Sequence, residues 1–123
     1  MALLDDYKKF LRGQGKSENT IKTYSGHVNE YYRWYMDTFG EAPTLLYHTN
    51  ILDFRSYLQN IKKLKFKSID TKLSSLTSFN EFLVQIGVQK DLVITAEDRL
   101  KFQQEIASPT EIEKKDVEAV VQK

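Results

Sequence analysis

Apolar residues recur every three or four positions through most of this chain, the period of a helix with one buried face. Leu3, Leu4, Tyr7, Phe10 and Leu11 lay out a first helix that ends near Gly13 and Gly15, glycine being the usual residue where a helix stops and turns. Ser17 opens a second, longer helix. Ile21, Tyr24, Val28, Tyr31, Tyr32, Tyr35 and Phe39 form its apolar stripe, Trp34 falls beside that stripe, and Gly40 closes it. Residues 41–48 read as a loop containing Pro43. Thr49 is the cap expected for a third helix, whose buried side is marked by Ile51, Phe54, Leu58 and Ile61. A lysine cluster follows, Lys62, Lys63, Lys65 and Lys67. Ser68 is the N-cap expected for a fourth helix, because its hydroxyl can accept a bond from an orphaned backbone amide. Ile69, Leu73, Leu76, Phe79, Leu83 and Ile86 carry that helix to Gly87. The pattern predicts an all-α body of four helices over roughly 85 residues, with connections of the length common in helical bundles.

Beyond Gly87, Val88 and the run Leu92-Val93-Ile94 read as an extended segment packing back on the body. Thr95 to Asp98 has the form of a capping pattern for a short helix over 96–106. Ser108-Pro109-Thr110 reads as a break. Glu111 to Lys123, with Ile112, Val117, Val120 and Val121, is too short and too charged to make a core alone.

A length of 123 residues predicts one domain with a tail, and 41% hydrophobic residues suffice for a core. No window approaches the ~20 continuous apolar residues of a membrane span, and the opening Met-Ala-Leu-Leu-Asp-Asp lacks the regions of a signal peptide. With no cysteine, disulfides and thiolate metal sites are excluded. These features fit a cytoplasmic protein.

The net charge of +1 selects no partner, but its distribution is informative. Up to residue 90 there are 13 Lys and Arg against 9 Asp and Glu; from Asp91 onward there are 5 against 8. A mildly basic body with an acidic tail hints at an anionic partner for the body. The fourth helix is expected to turn Thr71, Lys72, Ser75 and Ser78 outward beside the lysine cluster, a combination suited to a phosphate backbone. The residues alone leave a plain solvated helix face equally open. The first turn of the second helix exposes Glu18, Asn19, Lys22 and Thr23 at an end whose free amides can take a phosphate.

No catalytic set is legible. His27 and His48 are lone residues and read as partly exposed structural histidines. Asp5-Asp6 complements a helix dipole. Phosphate-loop, dinucleotide, nucleophile-elbow and zinc-protease motifs are all missing. The seven tyrosines read as core or half-core residues with hydroxyls at the surface.

Lys16-Ser17-Glu18-Asn19-Thr20-Ile21-Lys22-Thr23-Tyr24, followed by Val28, Tyr32 and Trp34, resembles the second-helix signature of the core-binding domain of tyrosine recombinases, the phage-type integrases. Thr49 to Leu58 resembles that family's third helix. Ser68 to Leu76, then Phe79, Phe82-Leu83 and Gly87, resembles its fourth. The likeness covers about residues 3–92, and Ser108 to Ile112 with the valines after it resembles the family's linker and first catalytic-domain helix. Thr77 stands where many members carry arginine, and Asp91-Leu92 where Asn-Pro is common; these differences bear on the phosphate grip and on the hinge.

The resemblance implies a compact four-helix, SAM-like orthogonal bundle over 1–92, with 93–123 as a helical linker and the start of a truncated catalytic domain. It implies binding without catalysis, since the chain ends before the family's catalytic residues. The partners implied are double-stranded DNA at a recombination core site and other integrase protomers, with no cofactor, metal, membrane or small-molecule ligand. Carried over by position, the DNA-facing residues would be Lys16, Ser17, Asn19, Thr20, Lys22 and Thr23, with Lys65, Lys67, Ser68, Thr71, Lys72, Ser75 and Ser78. Thr20 also reads as a residue that merely bonds backbone. The competing reading of the whole chain is a helical protein-interaction module whose apolar patch carries the function.

Overall fold

The computed structural model describes residues 2–94. The expected short helix over 96–106, the break at Ser108–Thr110 and the stretch Glu111–Lys123 lie outside the described residues, and with them the linker and catalytic-domain start. The helices are α1 Ala2–Gly13, α2 Glu18–Phe39, α3 His48–Asn60 and α4 Phe66–Gln85. The all-α four-helix body expected from periodicity is the one observed.

α4 is the central element. It packs on each of the other three helices and supplies more of the buried core than any other, from Ile69 to Leu83. Phe79 is fully buried, with its ring 5.1 Å from Tyr7, 5.9 Å from Tyr32 and 5.8 Å from Phe82. That one side chain therefore ties α1 and α2 to α4, and truncating such a residue to alanine costs about 3–5 kcal/mol. Trp34 does the equivalent for α3, lying 5.1 Å from Phe54 and 6.1 Å from Tyr57.

The turn into α2 is tightly specified. Gly15 adopts φ 81°, and the amides of Gly15 and Lys16 bond back to the carbonyls of Arg12 and Leu11 at 3.0 and 3.1 Å. This closure of α1 needs a left-handed residue that glycine adopts without a Cβ clash. Ser17 is the N-cap of α2 as expected, accepting from the Thr20 amide at 3.1 Å.

Two other starts differ from expectation. α3 begins after Tyr47, not Thr49. Buried Leu46 is held by the Gln89 side chain through both its amide (3.1 Å) and its carbonyl (2.8 Å), so the chain is already in place to turn at Tyr47. α4 is capped by Lys65, with no side-chain bond, and not by Ser68, which sits inside the first turn. Phe66 packs against the core, and that burial outweighs the capping preference of the serine. Ile61 is 71% exposed rather than buried, because α3 ends at Asn60 and the chain bends through Lys63 at φ 57°. Phe39 and Ile86, also expected on buried stripes, are exposed at the ends of their helices.

The segment after α4 packs back only in part. Val88 and Leu92 are exposed, whereas Ile94 is buried and Val93 half-buried. Asn80, fully buried in α4, holds this segment: its Oδ1 accepts from the Val93 and Ile94 amides at 2.7 and 3.3 Å, and its Nδ2 donates to the Asp91 carbonyl at 3.1 Å.

Candidate nucleic-acid interface

The loop joining α3 to α4 is short, and Leu64 anchors it. Its amide bonds the Leu58 carbonyl at 3.0 Å, and its half-buried side chain packs against the core. With that residue turned inward, Lys62, Lys63 and Lys65 are left exposed, and Lys67 joins them from the first turn of α4. Among the described residues these four lysines carry no ion-pair partner.

Beside them runs an open groove of about 430 Å³ between α2 and α4. It is lined by Thr23, His27 and Glu30 from α2, Lys62 and Leu64 from the loop, and Ser68, Thr71 and Lys72 from α4. The spacing explains the lining: 23, 27 and 30 share one face of a helix, as do 68, 71 and 72. The groove thus gathers Thr23, Ser68, Thr71 and Lys72 from the positions expected to face DNA. Lys65, Lys67, Asn19 and Lys22 are exposed on the helix turns that supply it.

The remaining expected positions sit elsewhere. Lys16 and Ser78 line a second groove with Gln14, Tyr24, Ser74, Thr77 and Glu81. Ser78 is half-buried, with its hydroxyl towards the Tyr7 phenol. Ser75 is 0% exposed, which corrects the expectation that it faces outward. It lies in the seam where α2 and α4 pack, with its hydroxyl on His27 Nδ1 at 2.8 Å and on the Thr71 carbonyl at 3.2 Å. Ser17 and Thr20 are occupied with the cap, the Ser17 hydroxyl donating to Thr20 Oγ1 at 3.0 Å. The Thr20 hydroxyl is thus engaged by another side chain, not by backbone.

A phosphate only accepts hydrogen bonds, so the free donors matter most. The Thr71 hydroxyl already donates to the Lys67 carbonyl at 2.9 Å. Lys72 is ion-paired with Glu30 at 2.6 Å, and their side chains are only 18% and 30% exposed. Thr23 and Ser68 hold no such bond among the described residues. His27 has its pKa lowered, first by burial and then by the Lys72 ammonium, against the opposing pull of Glu30. Lys62, His27 and Glu30 belong to this site but not to the set expected from sequence. Glu30 and Lys72 are 42 positions apart, so no local pattern signals their pairing. Among the described residues no group of three His, Cys, Asp or Glu is placed to hold a metal ion, and no helix is long and apolar enough to cross a membrane.

A small all-α domain with a basic loop beside a two-helix groove is the class these observations define. Residues 3–90 match the N-terminal SAM-like domain of phage integrase, and the chain belongs to that family. It is also similar to a Bacillus thuringiensis protein named TnP I resolvase, with 41% identity over 122 residues. That alignment takes in 99% of this chain but 43% of the relative, so the chain spans less than half the relative's length. No solved structure matches it.

Proposed function

We propose that this chain is the DNA-binding, core-binding part of a site-specific tyrosine recombinase, acting on cytoplasmic DNA. On this reading residues 1–92 clamp one face of a recombination core site, and 93–123 lead into a separate catalytic domain. The observation that carries it is the convergence of Lys62, Lys63, Lys65 and Lys67, none ion-paired among the described residues, with the groove that holds Thr23 and Ser68. Family membership and a relative named as a resolvase support the same reading. The mechanism is docking on phosphates by the loop and the α4 start, with Asn19, Lys22 and Thr23 of α2 reaching the adjacent groove of the duplex. Other protomers would complete the assembly on the core site.

A second reading, a helical protein-interaction module, has one observation in its favour. A groove of about 350 Å³ near the C-terminal end of α2 is lined by Tyr32, Met36 and Ala42 together with Asn29, Arg33 and Asp37. Salt separates the two readings. Duplex binding through about six phosphates gives a log–log salt slope near −5 and a Kd of ~10⁻⁴–10⁻⁶ M for non-specific sequence. Fluorescence anisotropy of a labelled duplex, titrated across ionic strength, measures both. Replacing Lys65 and Lys67 by alanine should each take about one unit from the slope. A chain with no affinity for duplex even in dilute buffer, or with a flat salt response, overturns the reading.

A further inference from the structure

The most withdrawn charge pair in the groove is also the one least suited to an anionic ligand. Lys72 reaches into it from α4, but its Nζ lies 2.6 Å from Glu30 Oε1 of α2. At 18% and 30% exposure the two groups attract through a medium poorer than bulk water, more strongly than a surface pair does. The Arg12–Glu18 pair, which joins the end of α1 to the start of α2 with side chains 52% and 73% exposed, is the solvent-exposed counterpart. A phosphate entering the groove would have to take Lys72 from a carboxylate already in contact with it. It would also meet that carboxylate as a like charge.

We propose that Glu30 stands in for a phosphate on Lys72 in the free protein, and so sets the affinity of the groove for DNA below what its cations would allow. This rests on the reading that the groove faces duplex. Glu30 is then an affinity-setting residue: it leaves the exposed lysines to make weak, quickly broken contacts and keeps Lys72 in reserve. Both residues line the groove, so exchanging partners needs no movement of either helix.

The test is the Glu30→Gln variant of the full chain, titrated with the same duplex across salt. Freeing Lys72 for one more phosphate should make the log–log slope steeper by about 0.9, which is about eightfold tighter binding at 0.1 M salt. Glu41→Gln changes the net charge equally but lies past the end of α2, whose last residue, Phe39, is already about 14 Å along the axis from Glu30. At that salt this exceeds the screening length of about 10 Å, so Glu41→Gln should leave the slope unchanged. Glu30→Ala, which removes the side chain altogether, should reproduce the gain if the glutamine happens to hold Lys72. The inference fails if wild type binds duplex and neither Glu30 variant binds more tightly, or if Glu41→Gln gains as much. If no variant binds duplex in dilute buffer, the functional reading itself has failed.

Discussion

His27 Nδ1 lies 2.8 Å from the hydroxyl of Ser75, in the seam between α2 and α4. Ser75 also reaches the Thr71 carbonyl at 3.2 Å and has one proton to share between the two. When that proton goes to Thr71, His27 must donate from Nδ1, which fixes the tautomer of a neutral ring.

This arrangement predicts an acid-sensitive fold. Burial, and then Lys72, hold the His27 pKa below its ordinary 6.5. The unfolded chain therefore binds that proton more readily than the folded one, and stability rises with pH through this range. The contribution is complete above pH 6.5 and is lost as pH falls from there through the lower folded-state value. Urea unfolding between pH 5 and 8 should show the midpoint dropping on the acid side, and His27→Gln should flatten that part of the profile. An unchanged profile in the variant contradicts the assignment.

The helices were legible in the sequence where a local signal and the tertiary packing agree. Ser17 caps α2 and Gly15 and Gly40 end helices because hydroxyl and left-handed glycine chemistry act within a few residues. Thr49 and Ser68 have the right chemistry to cap, yet Leu46 and Phe66 are held by distant parts of the chain and move the starts earlier. The site was legible as a basic loop beside two hydroxyl-bearing helix faces. Helical period puts residues 71, 75 and 78 on one side of α4 but does not say which of them meets α2. Ser75 does, and is buried; Lys16 and Ser78 fall on the far side of the seam. Asn80 and Gln89 gave no sequence signal, since a polar residue is recognised as a core fastener only once its backbone partners are known.

Asn80 fastens the segment after α4, and Asn80→Ala should cost about 2–3 kcal/mol, because it strands the buried Ile94 amide and the part-buried groups at Asp91 and Val93. Chemical denaturation measures the loss. Hydrogen exchange should localise it, with the Val93 and Ile94 amides exchanging faster than those of α4.

Tyr31 is the opposite case. Its ring packs 5.2 Å from Phe54, but its buried hydroxyl has no hydrogen-bond partner among the described residues. Tyr31→Phe keeps the packing and removes the stranded oxygen, so it should raise stability by about 1 kcal/mol. A loss of that size would show that the hydroxyl is bonded after all.

The buried phenols also predict an alkaline limit. Burial pushes Tyr32 up to about 12, and Tyr7 and Tyr31 well above the ordinary value of 10. The folded state keeps protons that the unfolded chain releases. Stability from these groups is thus full below pH 10; the Tyr32 share is lost as pH rises through about 12, and the shares of Tyr7 and Tyr31 at still higher pH. The part of the tyrosinate absorbance that is lost when Tyr7, Tyr31 and Tyr32 are replaced by phenylalanine should rise together with loss of helical circular dichroism, not before it.

On the proposed reading, the lysine loop and the two helix faces beside it meet DNA. Amide chemical-shift mapping on adding a short duplex at low salt tests it most directly. Shifts should concentrate at residues 19–23 and 62–72 and disappear as salt is raised, while α1 and the 41–47 loop stay unmoved. Shifts centred on Tyr32, Met36 and Ala42, or none at any salt, would contradict it.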